Sequence, residues 1–70
     1  MIFQVYWQGS AKHAEFTDYD EAVEYAQTMT FEESTFNTAV IVERTKLRIK
    51  RVFMVTWFGG GIWLIEHIAY

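Results

Sequence analysis

The stretch from Thr38 to Phe58 runs for twenty-one residues without a glycine or a proline. Strands rarely exceed about ten residues, so a single strand cannot hold this stretch and a bend has to interrupt it. The polar run Glu43–Lys46 is where we expect that bend. Gly59–Gly61 follows and predicts a tight turn into a returning strand. This half of the chain therefore predicts strand 3 at 38–44, strand 4 at 48–58 and strand 5 at 62–68.

The first half of the chain predicts a β-hairpin followed by a helix. Thr17 or Asp18 can cap the helix, because Asp20 or Glu21 lies three residues further on, as in a capping box. Before the helix, apolar residues alternate as they do in half-buried strands. The predicted elements are strands at 3–7 and 12–16, a turn at Gly9-Ser10, a helix at about 18–30 and a loop around Asn37.

The order of these elements, β-β-α-β-β-β, predicts an α+β fold. We expect a single, mainly antiparallel β-sheet of about five strands with one helix packed on one face. Seventy residues fit one small domain, 1–70. Such a short chain buries only about 60% of its unfolded surface, so its core is marginal. The chain has no cysteine, so disulfides cannot stabilise it.

Strands 3 to 5 are apolar on both faces, whereas one helix can cover only one face of a sheet. Ile41 and Val42 show the pattern in strand 3, and Phe53 and Met54 show it in strand 4. An antiparallel sheet with one wet face alternates with polar residues instead. We therefore expect something else to cover the second face. A homodimer in which this face packs on itself is one hypothesis for the chain.

Five of the six Lys and Arg residues fall between Arg44 and Arg51. Four of them alternate, so on an extended strand they would share a face. Three interpretations remain open: a solvated strand end, a site for an acidic protein, and a single-stranded nucleic-acid site with aromatic stacking. If the bend divides the stripe, it becomes a cationic corner beside an aromatic hairpin, which favours an acidic protein surface. The candidate partner-binding residues are Arg44, Lys46, Arg48, Lys50, Arg51, Trp57, Phe58 and Trp63.

No catalytic constellation can be argued from the sequence. His13 lies near Glu15 and His67 is next to Glu66, but neither pair has a convergent nucleophile or metal partner. We therefore expect a non-enzymatic protein without a cofactor or a metal site. The uncharged stretch 52–65 is shorter than the 17–25 residues, roughly, of a spanning helix, so a membrane partner is not expected. The lack of cysteine fits a cytoplasmic protein.

The hairpin, the helix start FTDYDEAVEYAQ and the third strand resemble a family of small bacteriophage host-takeover proteins, the podophage-type inhibitors of bacterial RNA polymerase. The resemblance covers residues 2–46, and residues 47–70 have no counterpart in it. It implies a protein that inhibits a host complex (a polymerase, a nuclease or a defence complex) by surface contact in the host cytoplasm. It also implies that Arg44 and Lys46 contact the polymerase.

Overall fold

A computed structural model of the chain describes residues 1–7, 13–32 and 38–69, and these ranges contain five strands and one helix. The strands form one sheet in the order β2-β1-β3-β4-β5, with every neighbouring pair antiparallel. The helix packs on one face of the sheet, which confirms the predicted α+β fold. The elements are β1 (Ile2–Trp7), β2 (His13–Phe16), α1 (Tyr19–Glu32), β3 (Thr38–Arg44), β4 (Ile49–Gly59) and β5 (Ile62–Ala69).

The bounds of the last three strands lie close to those that the sequence predicts. β3 matches its prediction, β4 differs by one residue at each end, and β5 is one residue longer at its end. The bend lies at Thr45–Arg48, beyond the expected start at Glu43, because the last two residues of β3 still pair with β4. The predicted turn at Gly9-Ser10, the residue Lys12 and the loop around Asn37 lie outside the described residues.

The helix begins at an aspartate cap. The Asp18 carboxylate accepts a hydrogen bond from the backbone N–H of Glu21 at 3.1 Å, and the Asp18 carbonyl accepts one from Ala22 at 3.1 Å. Asp18, and not Thr17, is therefore the N-cap, and it satisfies a donor that the helix start leaves open. Asp20 and Glu21 lie in the first turn, where the helix dipole favours negative charge.

The core lies between the helix and the face of the sheet that the helix covers. Ala22 and Ala26 are fully buried on the helix, and their small size lets the helix approach the strands closely. The Tyr19 ring packs edge-on against Phe3 and Phe53, with ring centroids 5.9 Å and 5.4 Å apart. The buried apolar residues are Phe3, Val5, Ala22, Ala26, Ala39, Ile41, Phe53 and Val55.

The second face of the sheet has no helix or strand on it within the described ranges. On its β1–β2 half, Gln4 donates a hydrogen bond to Glu15 at 2.9 Å and Tyr6 donates one to Gln4 at 3.1 Å. Its β3–β4 half is apolar and half-buried. Described parts of the chain therefore do not supply the cover that the sequence predicts for this face. The apolar half is formed by Val40, Val42, Val52 and Met54.

Candidate partner-binding site

A tight turn joins β3 to β4 and presents the cationic residues. The backbone N–H of Thr45 donates to the carbonyl of Arg48 at 2.9 Å, which leaves Lys46 and Leu47 as the two central residues of the turn. The Thr45 hydroxyl oxygen also accepts from the backbone N–H groups of Leu47 and Arg48, each at 3.4 Å. One threonine side chain thus holds the turn from within, and the two central side chains point away from the sheet.

Leu47 is 94% exposed, the highest value among the exposed large hydrophobic residues of the described chain. We call Leu47 and the four cations around it the hairpin tip. Lys46, Arg48 and Lys50 are exposed and form no ion pair with any described residue. The fourth cation, Arg44, is half-buried, and its Nε donates to the Thr45 carbonyl at 3.2 Å. Most of the hairpin tip lines a shallow open hollow, formed by Arg44, Leu47, Arg48, Ile49 and Lys50.

Arg51 differs from the other four predicted cations because it forms an ion pair inside the fold. Its guanidinium donates through Nε to one carboxylate oxygen of Glu43 and through Nη2 to the other, the latter at 3.1 Å. It also lies over the Phe53 ring, 5.3 Å from the centroid. The Arg51 hydrogen bonds lower the pKa of Glu43, although burial opposes this effect, and Glu43 raises the pKa of Arg51. Arg51 therefore neutralises a buried carboxylate.

The aromatic residues of the predicted site lie around the turn between β4 and β5. The rings of Trp57 and Trp63 are 4.5 Å apart between centroids, and both tryptophans are half-buried. The Trp63 indole N–H donates to the hydroxyl of the buried Thr30 at 2.9 Å, which ties β5 to the helix. Only Phe58 stands well clear of the fold, at 63% exposure. Two of the three predicted anchors thus pack within the protein.

The structure separates the cationic residues from the aromatic ones. The hairpin tip lies around the start of β4, with Lys50 as its last residue, whereas Phe58 lies at the far end of the strand beside Gly59. At about 3.3 Å per residue, the strand places the two groups about 30 Å apart. The expectation of a cationic corner beside an aromatic hairpin is therefore wrong. Both groups flank the same strand in sequence, but they lie at its opposite ends.

Leu47 is the residue of the hairpin tip that the sequence did not single out. In the alternating stripe, Leu47 takes an apolar position behind the cations, which is typical of a residue that faces the core. The two-residue turn interrupts the alternation and moves Leu47 to the surface. A turn predicted at 45–48 would have indicated that Leu47 is exposed. This turn contains neither glycine nor proline, which are the strongest turn signals, so the sequence did not indicate it.

A second polar cluster lies on the β1–β2 edge of the open face. His13 Nε2 lies 3.0 Å from a Glu15 carboxylate oxygen, and the Tyr6 and His13 rings are 4.9 Å apart. Hydrogen bonds from Gln4 and His13 lower the pKa of Glu15, and the positive charge of Arg44 adds to this. The described residues contain no group of three or more His, Cys, Asp or Glu side chains arranged to hold a metal ion. They also include no helix of the length and apolarity that crossing a membrane requires.

Comparison of the chain with models of protein families, with curated proteins and with solved structures gives no match.

Proposed function

We propose that this protein is a non-enzymatic binding module that docks its hairpin tip onto an acidic protein surface. The observation that carries the proposal is Leu47, a large apolar side chain that is 94% exposed and surrounded by cations. Exposing a leucine to water is unfavourable by about 1.5–3 kcal/mol relative to burying it. A partner with an apolar socket and an acidic rim would bury Leu47 and pair with Lys46, Arg48 and Lys50.

The charge distribution favours a protein partner over a nucleic acid. Three of the four cations at the hairpin tip are exposed. The acidic start of the helix lies at the same end of the sheet, because β1 begins beside Arg44 and β2 ends beside Phe3. A nucleic-acid strand tracking past the hairpin tip would meet those acids. Stacking of single-stranded bases also requires exposed aromatic rings near the cations, and Trp57 and Trp63 are half-buried at the other end.

The bacteriophage resemblance suggests the partner to test first. If it extends to function, the hairpin tip would contact a host complex such as bacterial RNA polymerase and inhibit it by occupying a surface. Arg44 belongs both to the hairpin tip and to the pair of residues that the resemblance implies in polymerase contact. Lys46, the other member of that pair, is exposed beside Leu47. Electrostatic attraction at such a site would accelerate association and select the partner.

Two experiments test the proposal. Binding to purified RNA polymerase is measured first, and affinity capture from bacterial lysate then identifies other partners, whose binding is measured with purified protein. Leu47→Ala and Arg48→Glu should each weaken binding about tenfold or more, as expected for central interface residues. Phe58→Ala is the matched control, because Phe58 is also an exposed large apolar residue but lies at the other end of β4. A partner that is retained by Leu47→Ala and lost with Phe58→Ala would contradict the proposal.

Nucleic-acid binding is measured in parallel with single-stranded oligonucleotides. A nucleic-acid site would show an affinity that falls steeply as salt is raised, because phosphate contacts release counterions. We expect no binding at low salt for the wild-type protein. Tight, salt-sensitive oligonucleotide binding that is lost in Arg48→Glu would contradict the proposal of a protein partner and would indicate a nucleic-acid partner.

A further inference from the structure

The two edges of the sheet are unlike each other. β2 has four residues, and its exposed side chains His13 and Glu15 belong to a polar cluster. β5 has eight residues, and only Glu66 and His67 among them are polar. Natural sheets protect an edge by making it short or charged, as β2 is, since an open edge offers unpaired backbone groups to another strand. β5 is twice as long as β2, and Glu66 is its one acidic or basic residue apart from His67.

The side chains of β5 from Leu64 to Ile68 are exposed on both faces of the sheet. A hydrogen bond from Trp63 to Thr30 joins the start of the strand to the helix, and β4 is its neighbour on one side only. A large apolar strand exposed in this way is typical of an interaction surface. The exposed apolar residues of β5 are Ile62 (63%), Ile68 (50%), Leu64 (42%) and Ile65 (38%).

We propose that β5 pairs with β5 of a second copy of this chain, antiparallel about a two-fold axis through Ile65. The axis stands perpendicular to the sheet, so the two sheets join into one of ten strands with both helices on the same side. In an antiparallel pair, directly opposed residues share a face of the sheet. The two-fold axis therefore has to pass through a residue and cannot pass between two adjacent residues. The proposal is independent of the function proposed for the hairpin tip, which lies on the other hairpin.

The sequence of β5 selects the register among the possible centres. The pairing of β5 with β4 is regular from 63 to 67 and shifts register on either side of this run. A centre at Ile65 pairs these five residues, with Trp63 opposite His67 and Leu64 opposite Glu66. A centre at Glu66 would place two carboxylates directly opposite each other, which is unfavourable. A centre at Leu64 would leave His67 without a partner, whereas the centre at Ile65 places it opposite the Trp63 ring. The strand thus matches itself best at Ile65.

The side chains of β5 favour pairing with a second copy of β5 over pairing with an unrelated strand. The self-match opposes Ile65 to Ile65 at its centre and Trp63 to His67 at its ends, and it never opposes two like charges. The chain also lacks the disulfides that usually stabilise domains of this size. One strand pair is a small interface, at or below the roughly 1,200 Å² of weak specific complexes. The dimer should therefore dissociate at micromolar concentration.

Analytical ultracentrifugation from low to high micromolar concentration tests the dimer, with two variants of neighbouring, similarly exposed residues. Ile65→Lys places two ammonium groups opposite each other and should raise the dissociation constant about tenfold or more. Leu64→Lys places each ammonium group opposite Glu66 of the other copy, so its dissociation constant should stay within about threefold of wild type. A protein that is monomeric throughout overturns the proposal, and equal losses in both variants overturn its register.

Cysteine cross-linking keeps the test independent of any loss of stability in the lysine variants. The chain has no cysteine of its own, so Ile65→Cys introduces a single thiol at the proposed axis. Under mild oxidation it should form a disulfide-linked dimer much faster than Leu47→Cys, whose thiol lies at the hairpin tip. Equal rates for the two variants would overturn the proposal. Circular dichroism of every variant verifies that it is folded.

Discussion

At the scale of single residues, Glu43 and Arg51 form the contact on which we expect stability to depend most. Glu43 is 6% exposed, and Arg51 hydrogen-bonds both of its carboxylate oxygens. Arg51→Ala should leave a buried carboxylate unpaired and shift the unfolding equilibrium toward the unfolded state by about tenfold. That figure is modest for a buried charge, because water can reach the site once the half-exposed arginine is gone.

Urea denaturation measures this shift, and Arg48→Ala is the matched control. Arg48 is exposed at the hairpin tip and has no ion-pair partner among the described residues, so its removal should leave the urea midpoint nearly unchanged. Equal midpoints for Arg51→Ala and Arg48→Ala would show that Glu43 does not depend on Arg51.

The same pair gives stability a defined dependence on pH. Arg51 lowers the pKa of Glu43 below its ordinary value of 4.5, so the unfolded chain binds a proton at a higher pH than the folded chain does. The contribution of Glu43 is therefore complete above pH 4.5 and is lost as the pH falls through the lowered pKa. Urea midpoints measured from about pH 7 to about pH 3 should fall more steeply in wild type than in Arg51→Ala.

Glu15 serves as an internal reference in that comparison. Its pKa is also lowered, by Gln4 and His13, so it loses stabilisation in the same direction as the solution is acidified. Because it lies on the opposite face from Arg51, both proteins retain this contribution. The difference between their pH profiles therefore reports on Glu43. Parallel profiles would contradict the assignment.

The cations show what a sequence can and cannot predict about single residues. Clustering and alternation identify all five as neighbours in the chain, and the structure places four of them around one turn. Arg51 has the same identity as Arg44 and Arg48 but lies opposite Glu43 across the β3–β4 ladder. That pairing depends on the strand register, which the alternation of charges does not contain. The role of Arg51 therefore could not be predicted.

At the scale of elements, the start of the helix depends on Asp18. Asp18→Ala removes the acceptor for the Glu21 backbone N–H and should destabilise the protein by about 1 kcal/mol, the typical loss for an N-cap. Asp18→Asn retains an oxygen acceptor at the same position, so its free energy of unfolding should stay within about 0.3 kcal/mol of the wild-type value. Thermal denaturation followed by circular dichroism compares them. An alanine variant as stable as the asparagine variant would exclude the cap.

The elements themselves were predicted well, because each carries a local pattern. The apolar run before the polar residues at 43–46 defined β3, the three glycines defined the turn after β4, and the aspartates defined the helix start. These glycines all have positive φ, from 63° to 87°, a region that residues with a Cβ rarely adopt. The order of the strands was not predicted, since β1 lies between β2 and β3 through contacts distant in sequence. The arrangement of the candidate site depends on the length of β4 more than on its sequence pattern, because this long strand places the hairpin tip and Phe58 at opposite ends.

At the scale of the whole molecule, the protein has two surfaces that point in different directions. The hairpin tip extends beyond the sheet at one end of β4, and the open edge runs along β5 at the side of the sheet. In the proposed dimer the two hairpin tips would point in opposite directions, because the two copies of β5 are antiparallel. Partner binding and self-association would then not compete. Leu47→Ala should leave the dimer intact, and Ile65→Lys should leave one-to-one binding by each hairpin tip intact.

Hydrogen exchange provides a test across the whole sheet. β1 and β3 have neighbours on both sides and carry fully buried Val5 and Ile41, so their amides should exchange most slowly. In dilute protein, the amides of β5 that point away from β4 should exchange rapidly. In concentrated protein these amides should become protected, while the equally peripheral β2 should show no change. Protection that rises at β2, or that stays constant at β5, would show that the open edge does not pair with its own copy.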